Sequence, residues 1–142
     1  MSEPIETYRG VVYPWHCDHM GHMNVMWYTG KFDEATWSLF SHAGITATYL
    51  RDGERGMAAV QQSITYKREV GAGTVLFIRS AILEVRDRVM RFTHEMVDSE
   101  THEVVATSEL TAVHFDRKAR KACPLPAEMV ERVRGLLGNA PT

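Results

Sequence analysis

The sequence contains only two cysteines, Cys17 and Cys123, among its 142 residues. Two cysteines are too few for a disulfide framework, which excludes the small disulfide-stapled folds of secreted proteins. No run of about 18 apolar residues occurs, so the sequence predicts no membrane-spanning helix. The first residues, MSEPIETYRG, are polar and lack the apolar stretch of a secretory signal. These absences predict a cytoplasmic protein.

The sequence also lacks an excess of charge of either sign, because 16 lysines and arginines face 18 acidic residues and the net charge is −2. Proteins that bind nucleic acid or an anionic membrane through their overall charge are basic, so neither partner is predicted. The hydrophobic fraction of 44% is typical of an ordinary globular protein. No repeat or low-complexity segment divides the chain, so we expect one domain over residues 1–142, with a loose tail over residues 138–142.

Apolar residues recur at spacings of three and four in the first half of the chain, which predicts one buried face of an α-helix. This series consists of Tyr28, Phe32, Ala35, Leu39 and Ala43. Asn24 is suited to the N-cap, because its side chain can accept a hydrogen bond from a free amide of the first turn. Gly44 is suited to the position just after the helix. The predicted helix has about 19 residues and a length of roughly 28 Å.

Five segments have the composition or alternation of β-strands, and polar or glycine-containing turns separate the last four. We predict strands over residues 7–15, 58–69, 74–85, 89–98 and 103–115, and a short amphipathic segment over residues 127–137. This order predicts an α+β fold in which an antiparallel meander curls round the helix. One helix covers one face only, so the outer face is expected to need a partner, and a homodimer is the simplest solution.

The loop before the helix, HCDHMGHMN (residues 16–24), concentrates groups that can do chemistry. If Asn24 caps the helix, the amide of Val25 lacks a helical partner and lies at the positive end of the helix dipole. An oxyanion would be stabilised there. Asp18 supplies a carboxylate that can attack a carbonyl or activate water. This pairing is what acyl transfer needs, and the alternative is that Asp18 only satisfies amides of the loop.

The same loop suggests two other kinds of site. His16, His19 and His22, with Cys17 and Asp18, are the residue types that bind zinc. Their spacing matches no standard structural zinc pattern and no second cluster follows, so we predict no metal. Cys17 beside His16 suggests a thiol–imidazole pair, but adjacent side chains at the end of a strand point to opposite faces. We therefore interpret Cys17 as a small buried apolar residue.

The stretch HCDHMGHMNVMWYTGKFDEA resembles the signature of hotdog-fold acyl-CoA thioesterases of the 4-hydroxybenzoyl-CoA thioesterase type. The matching residues are His16, Asp18, Gly21, His22, Asn24, Tyr28, Phe32 and Glu34. SITYKREVGAGTVLFIRS and CPLPAEMVERV are also similar, so the resemblance covers nearly the whole chain. It implies a five-stranded antiparallel sheet curled round one long helix, and hydrolysis of an acyl-CoA thioester. One position departs from the motif: its first residue, often Asp, is His16.

The resemblance also implies roles for single residues. Asp18 falls at the family's catalytic carboxylate, which acts as nucleophile or general base. Val25 falls at the residue whose backbone amide polarises the thioester carbonyl. Asn24 and Tyr28 would shape the site, and His22 is a candidate to bind substrate. A hotdog hydratase or dehydratase using Asp18 and His22 is the second hypothesis, and a non-catalytic acyl-thioester-binding protein is the third.

The phosphates of coenzyme A need cations. Arg117 and Lys118 begin the densest basic run of the chain, and Lys67 and Arg68 precede the glycines at positions 71 and 73. We expect these four residues to contact phosphate, the alternative being a solvated run of charge. Coenzyme A is part of the substrate, so no cofactor is expected. The predicted partners are an acyl-CoA and a second copy of the chain, in a homodimer or homotetramer.

Overall fold

The computed structural model describes residues 3–138. Its strands are β1 (Ile5–Val11), β2 (Arg55–Tyr66), β3 (Val75–Arg86), β4 (Val89–Asp98), β5 (Val104–Asp116) and β6 (Lys121–Ala122). Its helices are α1 (Val25–His42), α2 (Ala47–Asp52) and α3 (Ala127–Arg134). The five main strands form an antiparallel sheet that curls round α1, so the predicted α+β hotdog fold is confirmed. Within the described range, no helix is both long and apolar enough to cross a bilayer.

Helix α1 begins and ends where the sequence predicts. The side chain of Asn24 accepts a hydrogen bond from the Met26 amide at 2.9 Å and so caps the helix. Gly44 follows the end with φ +87°, in the left-handed region that favours glycine. The apolar series from position 28 to position 43 is buried throughout, with at most 3% exposure. This face seats the helix on the sheet.

The order of the strands differs from the predicted meander. The sheet runs β1-β3-β4-β5-β2, so β3, β4 and β5 are neighbours in sequence and in space, whereas β2 pairs with β5 instead of β3. The predicted hairpin through the glycines at 71 and 73 is therefore wrong. Residues 67–74 instead form a crossover that passes the N-terminal end of α1, where the Met23 amide donates to the Val70 carbonyl at 2.8 Å.

Smaller differences from the prediction concern the end of β1, helix α2 and the tail. β1 ends at Val11 and not at residue 15, because Pro14 has no amide donor and begins a 3₁₀ turn over Pro14–His16. Helix α2 was not predicted, since six residues are too few to show helical periodicity. Of the predicted tail, only Gly138 lies within the described residues, and its amide donates to the Ile82 carbonyl at 2.8 Å.

A chain of buried polar side chains crosses the core between the sheet and α1. Thr7 Oγ1 lies 2.7 Å from Ser80 Oγ, which lies 2.6 Å from His94 Nδ1. His94 Nε2 lies 2.8 Å from Thr36 Oγ1, whose hydroxyl donates to the Phe32 carbonyl at 3.0 Å. Burial lowers the pKa of His94 from 6.5 to about 3, so this imidazole is neutral at physiological pH.

The outer face of the sheet carries ion pairs between neighbouring strands. Arg79 pairs with Glu95 at 2.8 Å, and Arg91 pairs with Glu109 at 2.6 Å. These charged pairs do not support the expectation that the outer face needs a partner. The edge strands of the sheet are β1 and β2. Within the described residues β2 pairs only with β5, and its residues 59–63 are all exposed, so its free edge is an open surface.

Candidate active site

The loop that carries Asp18 folds back on itself before α1. The Asp18 amide donates to the His22 carbonyl at 3.1 Å, and the Gly21 amide donates to the Asp18 carbonyl at 3.0 Å. Gly21 has φ +87°, although no atom lies within 4 Å of the place a Cβ would take. Backbone conformation, not space, therefore favours glycine here. The turn brings the side chain of Asp18 to the start of α1.

Both oxygens of the Asp18 carboxylate accept hydrogen bonds. Oδ2 accepts from Asn24 Nδ2 at 2.7 Å, and Oδ1 accepts from the Met20 amide at 2.8 Å. The bond from Asn24, followed by that from Met20, holds the pKa of Asp18 below its ordinary value. Asp18 is therefore an anion at neutral pH, which is the state that a nucleophile or general base needs.

Asn24 joins this carboxylate to the helix terminus. Its Oδ1 accepts from the Met26 amide while its Nδ2 donates to Asp18, so one side chain serves both contacts. The neighbouring amide, that of Val25, has no hydrogen-bond acceptor within the described part of the chain, and Val25 is 55% exposed. The structure thus brings Asp18, Asn24 and Val25 together, with an ionised carboxylate beside a free amide at the positive end of α1.

A cleft of about 230 Å³ opens beside this helix terminus. Its lining comes from two segments far apart in the sequence and consists of His22, Met23, Val25, Tyr28, Tyr66, Lys67, Arg68 and Glu69. The Tyr28 hydroxyl donates to the Arg68 carbonyl at 2.9 Å and so ties α1 to the crossover. Burial raises the pKa of Tyr28, which keeps its hydroxyl protonated. The cleft brings together four of the predicted binding residues: His22, Tyr28, Lys67 and Arg68.

Some of the charged side chains in the cleft have a partner of opposite charge nearby, and others do not. The guanidinium of Arg68 pairs with Glu103, and the carboxylate of Glu69 lies 3.5 Å from His22 Nε2. The ammonium of Lys67 has no ion-pair partner among residues 3–138. Sequence reasoning missed Glu69, because the alternation assigned it to a strand and gave no sign that the crossover would place it opposite His22.

The other two predicted phosphate ligands lie elsewhere in the same copy. Arg117 and Lys118 follow the end of β5, beside the start of β2, whereas Lys67 follows the end of β2. Because β2 has 12 residues, its ends are roughly 36 Å apart. The guanidinium of Arg117 donates to the carbonyls of Arg55 at 2.8 Å and Leu50 at 3.0 Å. One copy of the chain therefore does not gather the four cations into one site.

The side chains that suggested a metal site or a thiol–imidazole pair make other contacts. Among the residues the structure describes, no three His, Cys, Asp or Glu side chains are placed to hold a metal ion. Nδ1 of His16 accepts from the Tyr13 amide at 3.0 Å. Cys17 is half-buried and packs against the core cluster that contains Met23. Neither residue contacts the other in a thiol–imidazole bond.

Comparison with known proteins identifies the family. Residues 12–133 match the thioesterase-like superfamily. The chain belongs to this superfamily. Within it, L-carnitine dehydrogenase/betainyl-CoA thioesterase of Agrobacterium fabrum is 31% identical over 113 residues, which cover 80% of this chain and 23% of that protein. The chain thus spans about a quarter of that relative's length.

Two further proteins match this chain over most of their own length. Betainyl-CoA thioesterase of Pseudomonas aeruginosa is 23% identical over 136 residues, which are 96% of this chain and 86% of that protein. A Staphylococcus aureus protein whose structure was solved in complex with CoA superimposes with a TM-score of 0.89 at 16% identity, covering 99% of this chain and 87% of that one. The predicted family is confirmed, and the named relatives support the predicted class of thioester hydrolase.

The comparisons leave several expectations as predictions of the sequence. These are the roles of Asp18 and Val25, the absence of a cofactor and the cytoplasmic location. The geometry around Asn24 allows the role of Asp18 to be tested directly.

Two substitutions separate the two contacts of Asn24. Asn24→Ala removes both, and we expect the free energy of unfolding to fall by about 1 kcal/mol, the usual loss of an N-cap. Asn24→Asp keeps an acceptor for the Met26 amide but removes the donor to Asp18 and adds a like charge beside it. Both variants should raise the pKa of Asp18, so the acidic limb of the kcat/KM profile should move to higher pH.

Denaturant titration and pH profiles of kcat/KM measure the two effects. The variant with Asp should retain more of the helix stability than the variant with Ala. An acidic limb that stays in place in both variants would show that Asn24 does not act on the essential ionisation.

Proposed function

We propose that the chain hydrolyses an acyl-CoA thioester to the free acid and CoA. One observation carries this proposal: the ionised Asp18 is held by Asn24 beside the free amide of Val25. A thioester carbonyl whose oxygen meets that amide has its developing negative charge stabilised by the amide and by the helix dipole. Asp18 is joined to the same helix terminus through the side chain of Asn24, which makes its carboxylate the group to act on the carbonyl carbon.

Two routes fit this geometry. In the first, an oxygen of Asp18 attacks the carbonyl carbon, the C–S bond breaks, CoA leaves as a thiolate, and water hydrolyses the resulting anhydride. In the second, Asp18 takes a proton from water while that water attacks the carbonyl, and the proton then passes to the departing sulfur. Both routes require an ionised carboxylate and both release one thiol for each acid formed.

Thiol release from a panel of acyl-CoAs tests the proposal. A thioesterase releases free CoA thiol, whereas a hydratase consumes the absorbance of an enoyl thioester without releasing thiol. A non-catalytic binding protein does neither. Absence of thiol release from every member of the panel would overturn the proposed function.

Betainyl-CoA belongs first in the panel, because the relatives from Agrobacterium fabrum and Pseudomonas aeruginosa are named as betainyl-CoA thioesterases. Its acyl group carries a quaternary ammonium, which aromatic rings and carboxylates attract. The cleft offers both, in the half-exposed ring of Tyr66, 5.2 Å from that of Tyr28, and in the carboxylate of Glu69. We propose that this wall of the cleft contacts the acyl group.

We further propose that two copies pair along the free edge of β2. An unpaired strand edge of 12 residues exposes backbone donors and acceptors that a second strand can satisfy. Antiparallel pairing about the middle of β2 would bring residue 66 of one copy opposite residue 55 of the other. The partner subunit's Lys118 would then lie near Lys67, so a dimer would gather the cations that one copy keeps apart.

Sedimentation tests the dimer. We expect a species of twice the 16.1 kDa chain mass at micromolar concentration. Val60 lies on the free edge and is 62% exposed. Val60→Lys should therefore shift the equilibrium toward monomer, because lysine on an edge strand opposes pairing. Val75→Lys is the control, since Val75 is also exposed but belongs to a strand paired on both sides. A wild-type chain that sediments as a monomer would overturn the dimer.

Single neutralisations test the phosphate contacts. Lys67→Ala and Lys118→Ala should each raise KM and flatten its dependence on salt, with little change in kcat. Arg117→Ala is a poor test, because its guanidinium holds two backbone carbonyls. Arg134→Ala is the control, since Arg134 is exposed on α3 and pairs with Glu131. A KM equal to that of the wild type in both lysine variants would exclude these residues from the site.

A further inference from the structure

His16 lies between β1 and the loop of Asp18, at the position where the sequence departs from the family motif. It is 9% exposed, and its ring centroid lies 4.4 Å from that of Trp27 in the first turn of α1. Its backbone carbonyl accepts from the Asn24 amide at 2.9 Å, and its Nδ1 accepts from the Tyr13 amide at 3.0 Å. His16 therefore touches the chain before the loop, the N-cap and the first turn.

The contact with Tyr13 determines the protonation of the imidazole. A backbone N–H only donates, so Nδ1 must be unprotonated, and the proton of the neutral ring lies on Nε2. From the carbonyl of His16, one hydrogen bond leads to Asn24, and a second leads from Asn24 Nδ2 to Asp18 at 2.7 Å. The orientation of His16 is thus coupled to the carboxylate through two bonds.

We propose that His16 is a positioning residue for Asp18, and that it acts as a hydrogen-bond acceptor through Nδ1. This inference rests on the proposed thioesterase function, because it gives His16 the role of holding the catalytic carboxylate in position. Loss of the bond from Tyr13 frees the ring that supports Trp27 and the segment that holds Asn24. Displacement of a reacting group by about 1 Å can cost on the order of 10²-fold in rate.

The bond has a defined dependence on pH. Protonation of Nδ1 replaces the acceptor with a donor that faces the Tyr13 amide, so the bond is lost. Burial lowers the pKa of His16 below its ordinary value, the charge of Lys31 on α1 lowers it further, and Glu34 on the same helix opposes them. The rings of Trp15 and Trp27, which also face His16, carry no charge. The kcat profile should therefore contain an acidic inflection that comes from His16, in addition to the one that comes from Asp18.

Two variants separate the acceptor from the ring. His16→Asn keeps an acceptor at the position of Nδ1, cannot titrate and lacks the ring. His16→Phe keeps a ring against Trp27 and lacks the acceptor. We expect His16→Phe to lose at least roughly 10-fold in kcat with KM within about threefold, and His16→Asn to retain kcat within about threefold. The Asn variant should also lose the His16 inflection, so that its kcat profile has one acidic inflection fewer than that of the wild type.

A role in packing alone predicts the opposite order, with the Phe variant more active than the Asn variant, and that order would overturn the proposal. So would an acidic kcat profile of His16→Asn that is identical to that of the wild type. Nitrogen-15 NMR of the wild type gives a reading independent of activity: the imidazole should be the Nε2–H tautomer, and the Tyr13 amide should shift as it titrates. If the panel shows no thiol release, the proposed function fails, but the NMR result still tests the hydrogen bond between the Tyr13 amide and His16. An Nδ1–H tautomer would refute that hydrogen bond itself.

Discussion

Replacement of Asp18 by Asn is expected to lower kcat by roughly 10²–10⁴-fold, the range associated with general acid–base groups. The substitution keeps the size of the side chain but removes its charge. The amide can neither form an anhydride with the acyl group nor take a proton from water. KM should change little, because the cleft and the Val25 amide are retained.

The comparison needs a stability measurement, because an amide has only one acceptor oxygen. In Asp18→Asn either the Met20 amide or the Asn24 side chain loses its acceptor, and we expect a loss of about 1 kcal/mol in the free energy of unfolding. Asp52→Asn is the matched control. Asp52 is exposed on α2 and pairs only with its neighbour Arg51, so its activity and stability should equal those of the wild type.

Oxygen-18 labelling of the wild-type enzyme can identify the anhydride route. A single turnover in oxygen-18 water, with enzyme in excess, introduces label into the Asp18 carboxyl if water attacks the anhydride at that carbon. Direct attack of water on the thioester leaves the side chain unlabelled. Full activity in Asp18→Asn would refute both routes, and activity lost to a chelator and restored by zinc would favour a metal site instead.

A pH-dependent loss of stability is the second large effect that we expect, and it arises from His94. The folded protein holds this imidazole neutral, since burial lowers its pKa from 6.5 to about 3. Below pH 6.5 the unfolded chain binds a proton at His94 that the folded chain does not bind. The stability contributed by the neutral ring is therefore complete above pH 6.5 and is lost as the pH falls toward 3. The slope is about 1.4 kcal/mol per pH unit, or about 5 kcal/mol in all.

His94→Gln isolates this contribution from that of His16 and His114, whose pKa values are also lowered mainly by burial. The variant is less stable at neutral pH because it disturbs the contacts with Ser80 and Thr36. Its free energy of unfolding should nevertheless fall less steeply than that of the wild type between pH 6.5 and pH 5, by about 1.4 kcal/mol per unit.

His42→Gln is the control, because His42 is exposed near the end of α1 and should leave the slope unchanged. If His94→Gln does not fold, proton NMR of the wild type gives the same information, since the His94 ring should not titrate above pH 4. A midpoint near 6.5 would contradict the prediction.

The parts of the structure that depend on local sequence were predictable. The N-cap and the apolar series of α1 follow from spacings within one turn of helix, and they place Asn24, Val25 and Tyr28 correctly. The partner of β2 was not predictable, because residues at positions 71 and 73 favour a turn without specifying which strands it joins. For that reason the cleft wall at Glu69 was missed, and the distance of Lys118 from Lys67 was not foreseen.

The polar chain through the core also selects one position for the helix. The apolar residues of α1 recur every three or four positions, so this spacing alone does not distinguish the native helix from one shifted by a turn, about 5.4 Å along its axis. Thr36 would then no longer lie 2.8 Å from His94 Nε2. Because the Thr36 hydroxyl already donates to Phe32, it serves His94 as an acceptor, and a shifted helix would leave a buried N–H without one, at a cost of about 1–3 kcal/mol. The hydroxyl of Thr36 therefore favours the native position of α1 over positions one turn away. It thereby also determines where the Val25 amide lies along the cleft.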